Sequence, residues 1–400
     1  MMNGNVEVVV VGGGYGGVTA ANSLARRDGV SVTLVNPRPE FVERIRLHQL
    51  VTGSDDAVVG FSEVLGGNVH VVVDTATRID AAERKVSLAG GGTVSYDYLV
   101  YAVGSGTSDP GVPGAAEFAH RVSDLEGAER LRSALAATPA SAPVTVVGAG
   151  PTGLETAAEL AEVGRKVTLV CGDVLGPSLH ARVRRPVTRR LVKLGVTVLE
   201  GPRARVTGVT RDGVQLDDGR ELPSAVTIWT AGFRVPDLAA RSGLRTDTEG
   251  RLLTDATLTS VDDVRIVAAG DGAAMTDRPF RMSCQAAVQL GPAAAATILR
   301  RIAGKTPAPV RMFFAGQCLS LGRDEGVTQF SYPNDRVNAL HIGGRPGAGV
   351  KEMACRFTLN KLVSGAGKAS SRASHGDGPD RLETPRPENR TTASSTRRSV

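Results

Sequence analysis

The sequence predicts an α/β protein that builds one β-α-β unit twice and adds a small α+β domain towards its C-terminus. Three observations carry this. Residues 8–24 read VVVVGGGYGGVTAANSL, and residues 144–160 read VTVVGAGPTGLETAAEL. In each, a valine-rich run meets a glycine-rich turn and then an alanine-rich stretch with apolar residues at helical spacing. A further apolar run, Ser31–Val35 after the first and Lys166–Val170 after the second, completes each unit. Runs of valine without polar alternation fit parallel strands covered on both faces.

The first turn places Gly12, Gly14 and Gly17 in G-x-G-x-x-G register, and the spacing predicts a helix from near Gly14 to about Arg27. The first glycine permits a tight turn, the second lets backbone approach a pyrophosphate, and the third lets helix and strand lie close. The helix N-terminus then offers free N–H groups and the positive end of its dipole to phosphate. Gly148, Gly150 and Gly153 repeat the pattern, with Pro151 at a helix start where its missing N–H costs nothing. One such motif is weak evidence; two, each inside a complete unit, predict two dinucleotide sites. Electron transfer between a fixed flavin and an exchangeable nicotinamide is a physical reason for holding both. Two further strands end in small residues: 97–106, DYLVYAVGSG, and 264–274, VRIVAAGDGAA.

The order of these pieces, with TAGFRVP at 230–236 between the second motif and AAGDGAA, resembles the pyridine nucleotide–disulfide oxidoreductase superfamily, over roughly residues 6–345. The resemblance implies two Rossmann-like domains. FAD would occupy a domain made of 1–113 and 252–310, interrupted by an NAD(P)H domain at 114–251. A C-terminal interface domain would follow at 311–363 and a disordered tail at 364–400. It implies that Gly12, Gly14, Tyr15, Gly16, Gly17, Asn36, Arg46, Ala76, Ala102, Gly104, Gly270 and Asp271 hold FAD, Asp271 by accepting from the ribityl chain. Gly148, Gly150, Gly153, Ala231 and Gly232 would hold the nicotinamide dinucleotide. Arg44 is a second candidate beside Arg46 for FAD phosphate, and His48 lies where the superfamily approaches the flavin.

The chain departs from that pattern at three places. The acidic residue that usually ends the second strand is Asn36 in the first unit, where the competing role is a turn residue before Pro37. In the second unit it is Cys171, with Asp173 two residues on and no arginine placed for a 2′-phosphate, which leans towards NADH. The four cysteines, Cys171, Cys284, Cys318 and Cys355, form no Cys-x-x-Cys pair and no zinc pattern. Electrons therefore leave flavin for a quinone, another small acceptor, a protein or oxygen rather than a vicinal thiol pair.

Cys284–Gln289, CQAAVQ, resembles the Ala-Gln-x-Ala-x-Gln helix of type II NADH:quinone dehydrogenases. Gln285 and Gln289 share a helix face and are candidates to meet the acceptor, and Glu155 to orient the nicotinamide or pass a proton. The implied activity is an FAD-dependent NAD(P)H dehydrogenase with a quinone-type acceptor. Competing readings are a ferredoxin-type reductase, a slow redox sensor resembling apoptosis-inducing factor, and sulfide:quinone oxidation using Cys171 and Cys318. Met353, Phe357 and Leu362, with Lys351, Arg356 and Lys361, form a stretch at 350–363 suited to a lipid interface. The stretch is short and a polar tail follows, so a helix packed on the body, or at a homodimer contact, is the reading preferred over lipid contact.

Composition sets bounds. The chain has 400 residues, 41% apolar and 22% charged, and no run reads as a signal peptide or membrane span, which predicts a cytoplasmic protein. Residues 364–400 carry seven basic and four acidic residues, so half of the net +6 lies there. The remaining charge does not support a nucleic-acid partner.

Overall fold

The computed structural model describes residues 5–107, 109–277 and 280–373. Its centre is a pair of five-stranded parallel sheets, each with a glycine-motif strand in the middle. In the first sheet Val6–Val11 lies between Val30–Asn36 and Tyr98–Tyr101, with Val69–Val73 and Ile266–Ala268 at the edges. In the second, Pro143–Val147 lies between Lys166–Val170 and Val226–Trp229, with Thr197–Leu199 and Ala119–Arg121 outside. Val8–Val11 and Val144–Val147 are buried on both faces, as unalternating valine runs require. The edge strand Ile266–Ala268 joins the first sheet only after the chain has completed the second, so the first unit is interrupted in sequence.

A third layer is antiparallel. Gly316–Ser320, Gly326–Ser331 and Val337–Gly343 pair in order, and the helix Gly344–Ala373 returns across them. That helix does not stop at Val363, where the sequence predicts the disordered tail to begin. Ala366 and Ala369 are buried, and Arg26 Nη2 donates to Gly365 O at 3.3 Å. Small residues let the helix continue against the first unit, a contact that local composition does not reveal. The remainder of the predicted tail, 374–400, lies outside the described residues. The lipid-facing set also divides. Leu362 and Lys351 are buried in the body, whereas Met353 and Phe357 are exposed.

Among the described residues no helix is long and apolar enough to cross a membrane.

Candidate functional site

The three glycines of the first turn have separate physical reasons. At Gly12 (φ +104°) a Cβ would overlap the Ala102 carbonyl, and at Gly17 it would overlap Gly12 O, so both are fixed by close packing. At Gly14 a Cβ would meet nothing within 4 Å. Gly14 caps the helix Tyr15–Leu24 with no side-chain hydrogen bond. The orphan N–H groups of that helix start therefore face an open cradle. Gly16 approaches Gly270 closely, a Cβ lying 3.2 Å from Gly270 N.

Across from the turn, Ser105 Oγ donates to Asp271 Oδ2 at 2.6 Å, and Arg44 reaches Ser105 Oγ at 3.3 Å and Asp271 at 3.9 Å. Gly104, with φ +70°, turns the chain into this group. Asp271 Oδ1 is buried without a partner, and so is the Tyr15 hydroxyl, whose ring stands edge-on to Phe41. An open phosphate cradle together with unpartnered buried polar atoms fits FAD: the turn would take the pyrophosphate and Asp271 a sugar-chain hydroxyl. Ala76 opens the strand that follows Val69–Val73, the neighbour of the Asn36 strand.

Two residues of the first set are placed differently from expectation. Asn36 Oδ1 accepts from Gly13 N at 2.9 Å and its Nδ2 donates to Arg38 O at 2.7 Å. Its amide closes the turn itself, the role predicted as the competing one. Arg46 is engaged by carboxylates. It is buried and paired with Glu352 at 2.9 Å, Asp55 at 3.5 Å and Glu43 at 3.6 Å, so it ties the C-terminal helix to the first unit. Three carboxylates saturate the guanidinium; Arg44 is the arginine that faces the cradle.

The second cradle repeats the first. A Cβ at Gly153 would overlap Gly148 O, while one at Gly150 would meet nothing within 4 Å. Gly148 has φ +108° and Pro151 begins the helix Pro151–Glu162. Thr230 Oγ1 donates to Val147 O and Gly148 O, which brings Ala231 and Gly232 (φ +80°) beside the turn. The two units are linked. The segment after Gly232 pairs antiparallel with the segment after Gly104, Arg234 against Gly106 and Phe233 against Thr107.

Glu155, on the second cradle's helix, sits in a buried cluster. Its Oε1 lies 3.0 Å from Lys351 Nζ and accepts from Ser320 N at 2.9 Å, while His48 Nε2 is hydrogen-bonded to Ser320 Oγ at 3.1 Å. His48 Nδ1 is 4.0 Å from Glu155 Oε2. Burial raises the Glu155 pKa, but Lys351, His48 and the Ser320 N–H outweigh it and hold it below the usual range. Burial pushes His48 down to about 4 despite Glu155, and Lys351 is held up by Glu155 against the effect of burial. At neutral pH the cluster is one ion pair with a neutral imidazole. The burial of Lys351 fits a helix packed on the body rather than a lipid-facing one and follows from the return of the last helix.

The two glutamines do not present free amides. Gln289 Nε2 donates to Phe313 O and Gln285 O, each at 2.9 Å, and its Oε1 accepts from Phe313 N at 3.0 Å. Gln285, with its amide nitrogen facing a carbonyl, donates to Gly316 O at 3.2 Å and accepts from Ala315 N at 3.1 Å. Both amides hold the backbone at 313–316 where it enters the third layer. The described cysteines are all free.

A fold of two joined dinucleotide cradles defines a flavin- and nicotinamide-dependent oxidoreductase class. Residues 6–291 match the family described as pyridine nucleotide-disulphide oxidoreductase, and the chain belongs to that family. An NADH dehydrogenase-like protein of Mycobacterium tuberculosis is 32% identical over 347 residues, covering 79% of this chain and 86% of the relative. A type II NADH:quinone oxidoreductase of the same organism is 31% identical over 373 residues, covering 81% and 79%. Among solved structures, NDH2 from Plasmodium falciparum in complex with NADH shares the fold at TM-score 0.77 and 16% identity, covering 92% of this chain and 98% of that one. The sulfide:quinone oxidoreductase of Aquifex aeolicus does so at TM-score 0.75 and 19% identity, covering 90% and 92%.

Proposed function

We propose that the protein is an FAD-dependent dehydrogenase that takes hydride from a reduced nicotinamide dinucleotide and delivers the electrons to a quinone-type acceptor. The observation that carries this is the backbone pairing of 106–107 with 233–234, which links the segments that follow strands Tyr98–Tyr101 and Val226–Trp229 of the two dinucleotide-type units. The type II NADH:quinone oxidoreductases among the relatives support the choice of acceptor. Bound flavin would supply the two-electron chemistry that no side chain here provides.

The chain's own part is positioning and proton supply. Gly14 and Gly150 leave space for phosphate, Asp271 Oδ1 and the Ser105–Arg44 pair fix a sugar chain, and the small residues Ala231 and Gly232 keep the second mouth open. Reducing a quinone to a quinol requires two protons. Lys351 Nζ is a protonated donor 3.0 Å from the Glu155 carboxylate, and Ser320 Oγ links that carboxylate to His48. Lys351 and Glu155 hold a fixed ion pair beside Ser320 and His48, and this polar cluster is the place where the chain would orient the nicotinamide or relay protons to the acceptor. Met353 and Phe357, 62% and 69% exposed beside Arg356 and Lys361, support peripheral contact with an anionic lipid surface.

Anaerobic NADH or NADPH should bleach the flavin of the purified protein, and a short-chain quinone should restore its colour. A flavin that stays oxidised with both dinucleotides defeats the dehydrogenase reading. Sedimentation with anionic vesicles should fall on Phe357→Ser; self-association without vesicles, abolished by the same change, assigns that face to a dimer instead.

A further inference from the structure

The second cradle lacks the carboxylate that would read the adenosine ribose, and the fold offers a replacement one strand away. Lys166–Val170 pairs in parallel with Thr197–Leu199, with Val170 opposite Leu199. Cys171 and Glu200 are the next positions on these two strands, and Cys171 N donates to Leu199 O at 2.8 Å, so the alignment continues past the last formal pair. Adjacent strands lie about 4.8 Å apart, and residues in parallel register project to the same face. Glu200 is therefore carried into the space beside Cys171.

The loop that leaves the second strand is built around this carboxylate. Glu200 Oε2 accepts from Leu175 N at 3.1 Å, and Gly201 N donates to Gly172 O at 2.8 Å and Asp173 O at 3.2 Å. This is the loop against which the fold seats the adenosine half of a dinucleotide. Cys171 cannot supply the charge itself: burial, with Glu200 adding to it, pushes its thiol up to about 12. Glu200 is exposed and forms no ion pair among the described residues. Two arginines lie by this loop: Arg205 is 3.5 Å from Asp173, and Arg184 Nε donates to Gly176 O at 3.2 Å.

Resting on the dehydrogenase reading, we infer that Glu200 takes the place of the missing strand-end carboxylate and selects a nicotinamide dinucleotide with a free 2′-hydroxyl over its 2′-phosphorylated form. A carboxylate accepts charge-assisted hydrogen bonds from ribose hydroxyls and repels a phosphate at the same point. Selectivity then resides on the neighbouring strand, and the conventional position holds an uncharged thiol.

The test uses the flavin-loaded full chain. Binding of NAD+ and NADP+ is measured by calorimetry, and kcat and KM for NADH and NADPH in steady state. The wild type should prefer the unphosphorylated pair by about tenfold or more. Glu200→Gln keeps an acceptor for Leu175 N and removes the charge. It should narrow the NAD+/NADP+ affinity ratio by about tenfold, with the NADH loss falling in KM rather than kcat. Adding Cys171→Asp to Glu200→Gln should restore the preference from the neighbouring strand. A wild type that prefers NADP+, or a Glu200→Gln ratio that stays constant because both affinities are unchanged or fall together, overturns the assignment. A wild type that binds neither dinucleotide removes the dehydrogenase reading and this assignment with it, whereas an active enzyme with a constant ratio removes only the role of Glu200.

Discussion

Tyr15–Leu24 and Pro151–Glu162 leave their glycine turns in the same way, each capped by a glycine with no side-chain partner, and are then held by different means. The first is packed by shape. Nearly every residue of it is buried, and Gly291 of the helix Cys284–Ile302 sits so close that a Cβ there would overlap Gly16 O and Thr19 Oγ1. The second is buried from Gly153 to Ala161 as well, and is in addition held by charge. Glu155, Glu159 and Glu162 fall on one face, where Lys351, Arg323 and Arg190 pair with them. Lys351 and Arg323 come from the third layer. The contrast teaches that the last helix and its layer touch both units but grip the two cradle helices differently: the first cradle's helix is fixed by close packing, whereas the second's carries a row of carboxylates paired with Lys351 and Arg323 of the C-terminal layer.

The comparison breaks most strongly at Lys351. Lys351→Met strands the buried Glu155 carboxylate and should cost about 3–5 kcal/mol in urea unfolding. Adding Glu155→Gln should recover much of it, because the remaining polar groups are then uncharged. Equal losses in the single and double variants would show that the helix depends on packing after all.

A pH series sharpens the same contrast. The His48 pKa is depressed to about 4 in the folded state, so below about 6.5 the unfolded chain binds the proton first. Stability contributed by the neutral ring is present above that pH and is lost as pH falls towards 4, by about 3 kcal/mol. The lowered Glu155 adds a loss of the same sign at lower pH. His48→Gln should flatten this limb of a melting-temperature profile; an unchanged slope would remove His48 as its source.

The smallest effect separates the cradles themselves. A methyl at Gly14 or Gly150 enters open space, so both alanine variants should fold. Gly14→Ala should lower the flavin-to-protein ratio. Gly150→Ala should retain flavin and raise KM for NADH about tenfold, equivalent to roughly 1.4 kcal/mol. Flavin loss in both variants would show that the second turn also supports the first.

Much of the site was legible because its causes are local. Gly17 and Gly153 are required by contacts with Gly12 and Gly148 of their own turns, and Asp271 lies three residues beyond the strand Ile266–Ala268. Residues whose partners lie far along the chain have contacts that no local pattern reports. Gln285 and Gln289 meet the segment 313–316 only when it folds over them. Arg46 meets Glu352 from 306 residues away. Lys351 has no local signal for its partner; the last helix turns it inward against Glu155, as a helix packed on the body requires.

The sequence by itself determined the two cradles and the parallel sheets around them, since strand burial, turn conformation and helix start are set by neighbours within about thirty residues. Tertiary structure alone decided where the charges go. A lysine, an arginine or a glutamate has no preferred partner until packing removes water from around it, and only the docking of the third layer does that here.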